Sequence, residues 1–176
     1  SGGGVGAEAG SLSTMVGGDP AVVEAAREHL EPFSGAVTHV GERPGHGHAA
    51  KLLNNYLSYT ALYVSSEAAV FGSQIGLEMG PLLEAINHGS GRNSATEQKL
   101  QRVAEGEYDI GAPIHIMEKD LRQLLAFGDE TGMPLAFAGL LRQFVGYTRR
   151  RYGGDGQITR AYDFFGELAA GNERVD

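Results

Sequence analysis

A mainly α-helical fold, built around one long helix and preceded by a short α/β segment, is the class this sequence predicts. Three observations point to it. Stretches of β-forming residues are confined to the first 41 positions. A helical pattern runs unbroken over residues 46–76. Beyond it, every apolar run repeats at three- and four-residue intervals and is closed by glycine or proline.

The elements follow in order. Residues 1–10, SGGGVGAEAG, read as a glycine-rich loop. SLSTMVGG alternates β-forming residues before a glycine stop and predicts a strand over 11–17. Asp19 and Pro20 supply an N-cap and a proline at the first helical position, opening an amphipathic helix through Leu30. AVTHVG at 36–41 predicts a second short strand. Helices are then expected over 46–76, from near Pro81 to Gly89, over 93–105, over 114–131 closed by Gly132 and Pro134, over 135–152, and over 158–170. Residues 1–44 thus form the tail of an α/β domain, and residues 45–176 an all-helical domain. A glycine-rich loop works when a strand delivers it and a helix or ligand receives it, so a further segment upstream of Ser1 is expected.

Composition narrows the function. With 176 residues the chain is long enough to bury a sizeable core. The absence of cysteine rules out disulfides and thiolate chemistry, and is compatible with the reducing cytoplasm where the protein is expected. No apolar run approaches the roughly 18 residues of a membrane span, and the first ten residues have neither the basic start nor the apolar centre of a signal peptide. A net charge of −8 argues against a nucleic-acid partner, because phosphate contacts need clustered cations. The one basic run, Arg149-Arg150-Arg151, closes a predicted helix, where cations complement the helix dipole.

The long helix poses the functional question. Among its leucines and tyrosines stand Lys51, Asn54, Asn55 and Ser58, spaced i, i+3, i+4 and i+7, which makes one polar stripe. Such a stripe on a mostly buried helix faces solvent or a polar cleft. Lysine is used sparingly: the chain has eleven arginines and only Lys51, Lys99 and Lys119. A lysine gives up its proton when desolvated, whereas an arginine effectively does not. Proton-transfer chemistry therefore needs one of the three. Lys99, among Glu97, Gln98 and Gln101, reads as a surface cation.

Gly45-His46-Gly47-His48-Ala49-Ala50 has the outline of a dinucleotide fingerprint, but no second strand ending in an acidic residue follows it. His46 and His48 form half of a metal site without a third ligand at suitable spacing, so no metal is expected. The glycines are better placed to let the helix start approach another backbone or a ligand closely.

Four features together carry a family resemblance: SGG at the start, GSLSTMVGG, then G-x-G-x-x-x-K-L-x-N-N opening the long helix, and Lys119-Asp120-Leu121 later. In this order they resemble the β-hydroxyacid dehydrogenases, the family of 3-hydroxyisobutyrate dehydrogenase and tartronate semialdehyde reductase, with 6-phosphogluconate dehydrogenase more distant. The resemblance implies that residues 1–44 are the last strands and helix of a Rossmann domain, and that 45–176 are the substrate-binding and dimerisation domain. It implies NAD or NADP as cofactor, a small β-hydroxyacid as substrate, and a homodimer or homotetramer assembled through the helical domain.

By the same resemblance Lys51 is the catalytic acid/base, protonating the carbonyl oxygen of a semialdehyde or keto acid as hydride arrives and taking the proton back in reverse. The residue reading agrees, since a lysine in a closed cleft loses its proton near neutrality. Asn55 holds the substrate oxygens, with Asn54 supporting it or reaching the substrate itself. Ser1, Gly2 and Gly3 match a loop that binds the substrate carboxylate. Lys119 and Asp120 match a cofactor-binding pair, the lysine approaching the cofactor and the aspartate orienting it. Imine reductases share the architecture but commonly lack this lysine. A non-catalytic helical dimerisation module would have lost it too, so Lys51 counts against both.

Overall fold

The computed structural model describes residues 1–171. They form the mainly α architecture that the periodicity predicts, in two compact units that divide between Asn54 and Asn55. The expected boundary at 44/45 precedes the long helix. The contacts divide ten residues later, because the start of that helix belongs with the strands.

In the first unit, β1 (Leu12–Gly17) and β2 (Ser34–Gly41) pair in parallel. Parallel neighbours need a crossover. Here it is α2 (Pro20–Leu30), followed by a 3₁₀ turn over Glu31–Phe33. Asp19 caps α2 as its side chain predicts, accepting from the backbone N–H of Ala21 at 2.9 Å and of Val22 at 3.3 Å.

The first ten residues correct the sequence reading. The expected glycine-rich loop contains a helix, α1 (Gly3–Glu8), whose propensity is poor. Packing overrides it. Gly6 is buried, and a Cβ there would lie 3.1 Å from Leu12 Cδ2. A side chain at Gly6 would press on Leu12, so glycine suits the close approach of α1 to β1.

The long helix α3 (His46–Gln74) begins in the first unit, and Gly47 acts there as expected. A Cβ on Gly47 would lie 2.5 Å from the Met15 carbonyl oxygen, and one on Gly17 would lie 2.7 Å from the Gly47 nitrogen. Real side chains do not fit such gaps, so strand and helix meet backbone to backbone. Neither position tolerates alanine without the two elements moving apart.

Among its described residues, the second unit is helical apart from one isolated antiparallel bridge, Pro113 to Gln157. It takes up the rest of α3 and adds α4 (Met79–His88), α5 (Leu100–Ala104), α6 (Ile114–Thr131), α7 (Ala136–Tyr152) and α8 (Ala161–Ala170). Pro81 falls in the first turn of α4, where its missing N–H costs nothing. Gly132 ends α6 in the left-handed conformation, φ 72°. The expected helix over 93–105 is broken into a π-helical turn, Ala95–Lys99, leading into α5.

The core is built around α3, which buries Tyr59, Leu62, Tyr63, Ser66, Ala69 and Val70 at helical spacing. Leu83, Leu100, Ile114, Met117, Leu121 and Val145 close around it. Tyr63, Phe144, Phe164 and Phe165 pack edge-on or tilted, with ring centroids 5.5 to 6.3 Å apart. Among the described residues, no helix is long and apolar enough to cross a membrane.

Candidate active site

In the first unit a cavity of about 260 Å³ is lined by Ser1, Ser13, Thr14, Met15, Gly47, His48 and Lys51. The strand β1 supplies three of these and the first turns of α3 another three. Ser1 is tied to the strand by the Ser13 N–H, which donates to the Ser1 carbonyl at 2.9 Å. Lys51, partly buried, shares this lining with Ser1. Gly2 and Gly3 stand at the entry to α1 with φ of 129° and 64°, outside the lining. Sequence reasoning missed Ser13 and Thr14 as lining residues, and weighed His48 only as a metal ligand. Among the described residues no group of three or more histidines and carboxylates is placed to hold a metal ion.

The second unit carries the other half of the polar stripe. Asp120, only 5% exposed, lies on the buried face of α6. Its Oδ2 accepts from Asn55 Nδ2 at 2.6 Å and from the Tyr59 hydroxyl at 2.9 Å. Its Oδ1 faces Lys119 Nζ at 2.8 Å. Burial alone pushes this carboxyl up. The hydrogen bonds from Lys119, Asn55 and Tyr59 outweigh it and hold Asp120 below its ordinary range. The same cluster acts on Tyr59, whose phenol is raised by burial first and then by the Asp120 charge. Asp120 is therefore a fixed anion that orients the Asn55 amide from one side and the half-exposed Lys119 from the other.

Asn54, partly buried, closes the first unit one position before Asn55. Ser58, the last member of the stripe, accepts from Lys99 Nζ at 3.1 Å. Here the structure corrects the sequence reading: Lys99 is not a surface cation but a partly buried one. Glu97, Gln98 and Gln101 around it are polar, but Leu100 beside it is fully buried, and the Lys99 ammonium reaches Ser58 on α3.

Two family models match. The first describes the NAD binding domain of 6-phosphogluconate dehydrogenase and covers residues 1–41. The second describes the NAD-binding region of NADP-dependent 3-hydroxyisobutyrate dehydrogenase and covers residues 45–165, more than half of the chain. The chain belongs to the β-hydroxyacid dehydrogenase family.

Individual members of this family agree. The chain is 35% identical over 144 residues to 2-(hydroxymethyl)glutarate dehydrogenase of Eubacterium barkeri, covering 81% of this chain and 48% of the relative. It is 36% identical over 128 residues to the NAD-dependent L-serine dehydrogenase of Pseudomonas aeruginosa, covering 69% and 43%. Its fold matches the 3-hydroxyisobutyrate dehydrogenase of Mycobacterium tuberculosis, solved with L-serine, at a TM-score of 0.82 and 25% identity, covering 90% of this chain and 56% of that one. The chain spans about half the length of the relatives it matches. The expected cofactor, NAD or NADP, agrees with both family models, which describe NAD-binding regions.

Proposed function

We propose that this chain is the substrate-binding half of an NAD(P)-dependent dehydrogenase that interconverts a small β-hydroxyacid and its semialdehyde or keto acid. The observation that supports this most is the position of Lys51, at the start of α3 and in the wall of a cavity shared with Ser1, Ser13 and Thr14. In this reading Lys51 Nζ gives a proton to the carbonyl oxygen of the substrate and removes it from the hydroxyl in reverse. The cofactor, when bound, supplies or accepts the hydride.

Ser1, Gly2 and Gly3 hold the substrate carboxylate through hydroxyl and backbone N–H groups. Asn55 holds the reacting oxygens, its amide fixed by Asp120, and Asn54 supports it. Lys119 has a half-exposed ammonium that fits a polar group of the cofactor. Asp120 is engaged by three donors and is buried, which fits orienting Lys119 and Asn55 rather than touching the cofactor. The relatives' names include hydroxymethylglutarate, threonate, serine and hydroxyisobutyrate dehydrogenases, all acting on compact hydroxyacids.

The test is an assay over a panel of such hydroxyacids with NAD and NADP, followed by the absorbance of the reduced nicotinamide. Turnover is expected from a protein that joins this chain to the remaining length its relatives carry, and none from the 176 residues alone. Turnover by the isolated chain, or none by the joined protein on any hydroxyacid, defeats the reading.

Association through the second unit completes the proposal. Leu57, Val64, Phe71, Phe137 and Leu140 are large apolar residues left exposed on α3 and α7, Phe137 by 73%. An apolar groove beside them is lined by Tyr63, Val64, Phe137, Leu140, Phe144 and Phe165. Covering these by a second copy removes them from water. Sedimentation at micromolar concentration is expected to show a homodimer or homotetramer, and a clean monomer counts against it.

A further inference from the structure

Lys99 has no part in the mechanism above, yet it is held as carefully as the residues that do. It ends the π-helical turn Ala95–Lys99, a distortion rare in helices and frequent at functional sites. The turn is fixed from several sides. Asn93 Oδ1 accepts from the N–H of Ala95 at 2.9 Å and of Thr96 at 3.2 Å. Asn87 Nδ2 donates to the Thr96 carbonyl at 3.1 Å.

The ammonium at the end of this turn donates to Ser58 Oγ at 3.1 Å and to Ser94 Oγ at 3.4 Å. It makes no ion pair among the described residues. The nearest carboxylate in sequence, Glu97, faces Arg92 instead, at 3.6 Å. Burial lowers the Lys99 pKa, with no opposing charge to restore it. A partly desolvated cation between two neutral hydroxyls is an expensive arrangement. It becomes favourable when an anion enters.

Position supplies the identity of that anion. Ser58 follows Asn55 by three residues on α3 and lies on the same helix face, about 4.5 Å along the axis. The Lys99 ammonium is thus held roughly one helical turn from the amide assigned to the reacting end of the substrate. A two- or three-carbon tail spans such a gap.

We infer that Lys99, Ser58 and Ser94 form a subsite for a second carboxylate at the far end of the substrate, so that the preferred β-hydroxyacid is a dicarboxylate. The ligand's identity rests on the hydroxyacid reading. The anion site rests on the side-chain geometry alone.

Two measurements separate these. In the first, the chain is labelled at lysine Cε, and the three lysine signals are assigned with Lys51→Gln, Lys99→Gln and Lys119→Gln. Glutarate is expected to shift the Lys99 signal saturably, and butyrate at equal ionic strength is expected to leave it in place. No shift with glutarate, or an equal shift with butyrate, overturns the subsite. Inorganic phosphate saturating well below glutarate overturns the carboxylate assignment in favour of a phosphoryl group.

In the second, the joined protein carrying Lys99→Gln is compared with wild type on matched mono- and dicarboxylate hydroxyacids. The expected result is a roughly ten- to hundredfold loss in kcat/KM on the dicarboxylate, the worth of one charged hydrogen bond. Activity on the monocarboxylate is expected to stay within about twofold, since no contact with it is lost. An equal loss on both, or none on either, overturns the inference. Absence of turnover on every hydroxyacid, with the glutarate shift intact, rejects the dehydrogenase reading and leaves the anion site standing.

Discussion

Exchanging Lys51 for arginine is expected to lower kcat by roughly two to four orders of magnitude, the usual worth of one general acid/base. The measurement is made on the joined protein at saturating cofactor, with Lys51→Ala alongside. Arginine keeps the positive charge and much of the reach but does not release its proton. Its failure therefore separates proton transfer from electrostatic attraction to the substrate. Cofactor affinity is expected to change little, because Lys51 lines a cavity whose other walls are Ser1, β1 and the start of α3. A Lys51→Arg enzyme that keeps most of the wild-type kcat/KM would falsify the acid/base assignment, whatever becomes of the alanine variant.

Removing Asp120 should be felt first in stability. Asp120→Ala strips the acceptor from the Asn55 amide, the Tyr59 hydroxyl and the Lys119 ammonium at once. Taking the charged acceptor from the Tyr59 hydroxyl and the Asn55 amide costs about 3 kcal/mol, at roughly 1–3 kcal/mol for each buried donor. Lys119 is half exposed and contributes little of this. For a chain of this size the loss corresponds to a fall in Tm of roughly 6–12 °C. Thermal unfolding with a loss below about 1 kcal/mol would mean that the cluster does not hold.

The pH dependence has a definite sign. The folded-state pKa of Asp120 is depressed, so its stabilisation is fully present above the unfolded value, near about 4. It is lost as the pH falls from there through the folded value. Asp120→Asn, which keeps the shape without the charge, is expected to flatten that part of the acid-unfolding curve. Since Asp120 also fixes the Asn55 amide, both variants should raise KM in the joined protein.

What the sequence made legible was whatever repeats at short range. Asp19 and Pro20 announce the start of α2, Gly132 the end of α6, and the i, i+3, i+4, i+7 spacing the stripe from Lys51 to Ser58. What stayed hidden depends on partners distant in the chain. Helix α1 forms in a segment of poor propensity, where Gly6 is buried against Leu12, a contact that propensity does not express. Ser13 and Thr14 looked like ordinary strand residues until α3 was placed across from them. Asp120 differs from a surface aspartate only through Asn55 and Tyr59, more than 60 positions away. Lys99 was misread for the same reason, since Ser58 is 41 residues distant. A usable signal did exist there: Asn93-Ser94 before a helix marks an N-terminus, which places Lys99 one turn inside it rather than on an open loop.

The glycine contact between β1 and α3 also acts as a mechanical datum. Side chains that meet across an interface can change rotamer and let the elements drift by an ångström. Gly47 and the Met15–Gly17 backbone have no such compliance, because nothing with rotatable bonds lies between them. Lys51 stands four residues further along the same rigid helix. The register of its Cα against Ser13 and Thr14 is therefore set by a backbone contact. An engineer wishing to reshape this cavity should vary Ser13, Thr14 and His48 freely and treat the two glycines as the fixed jaw of the vice.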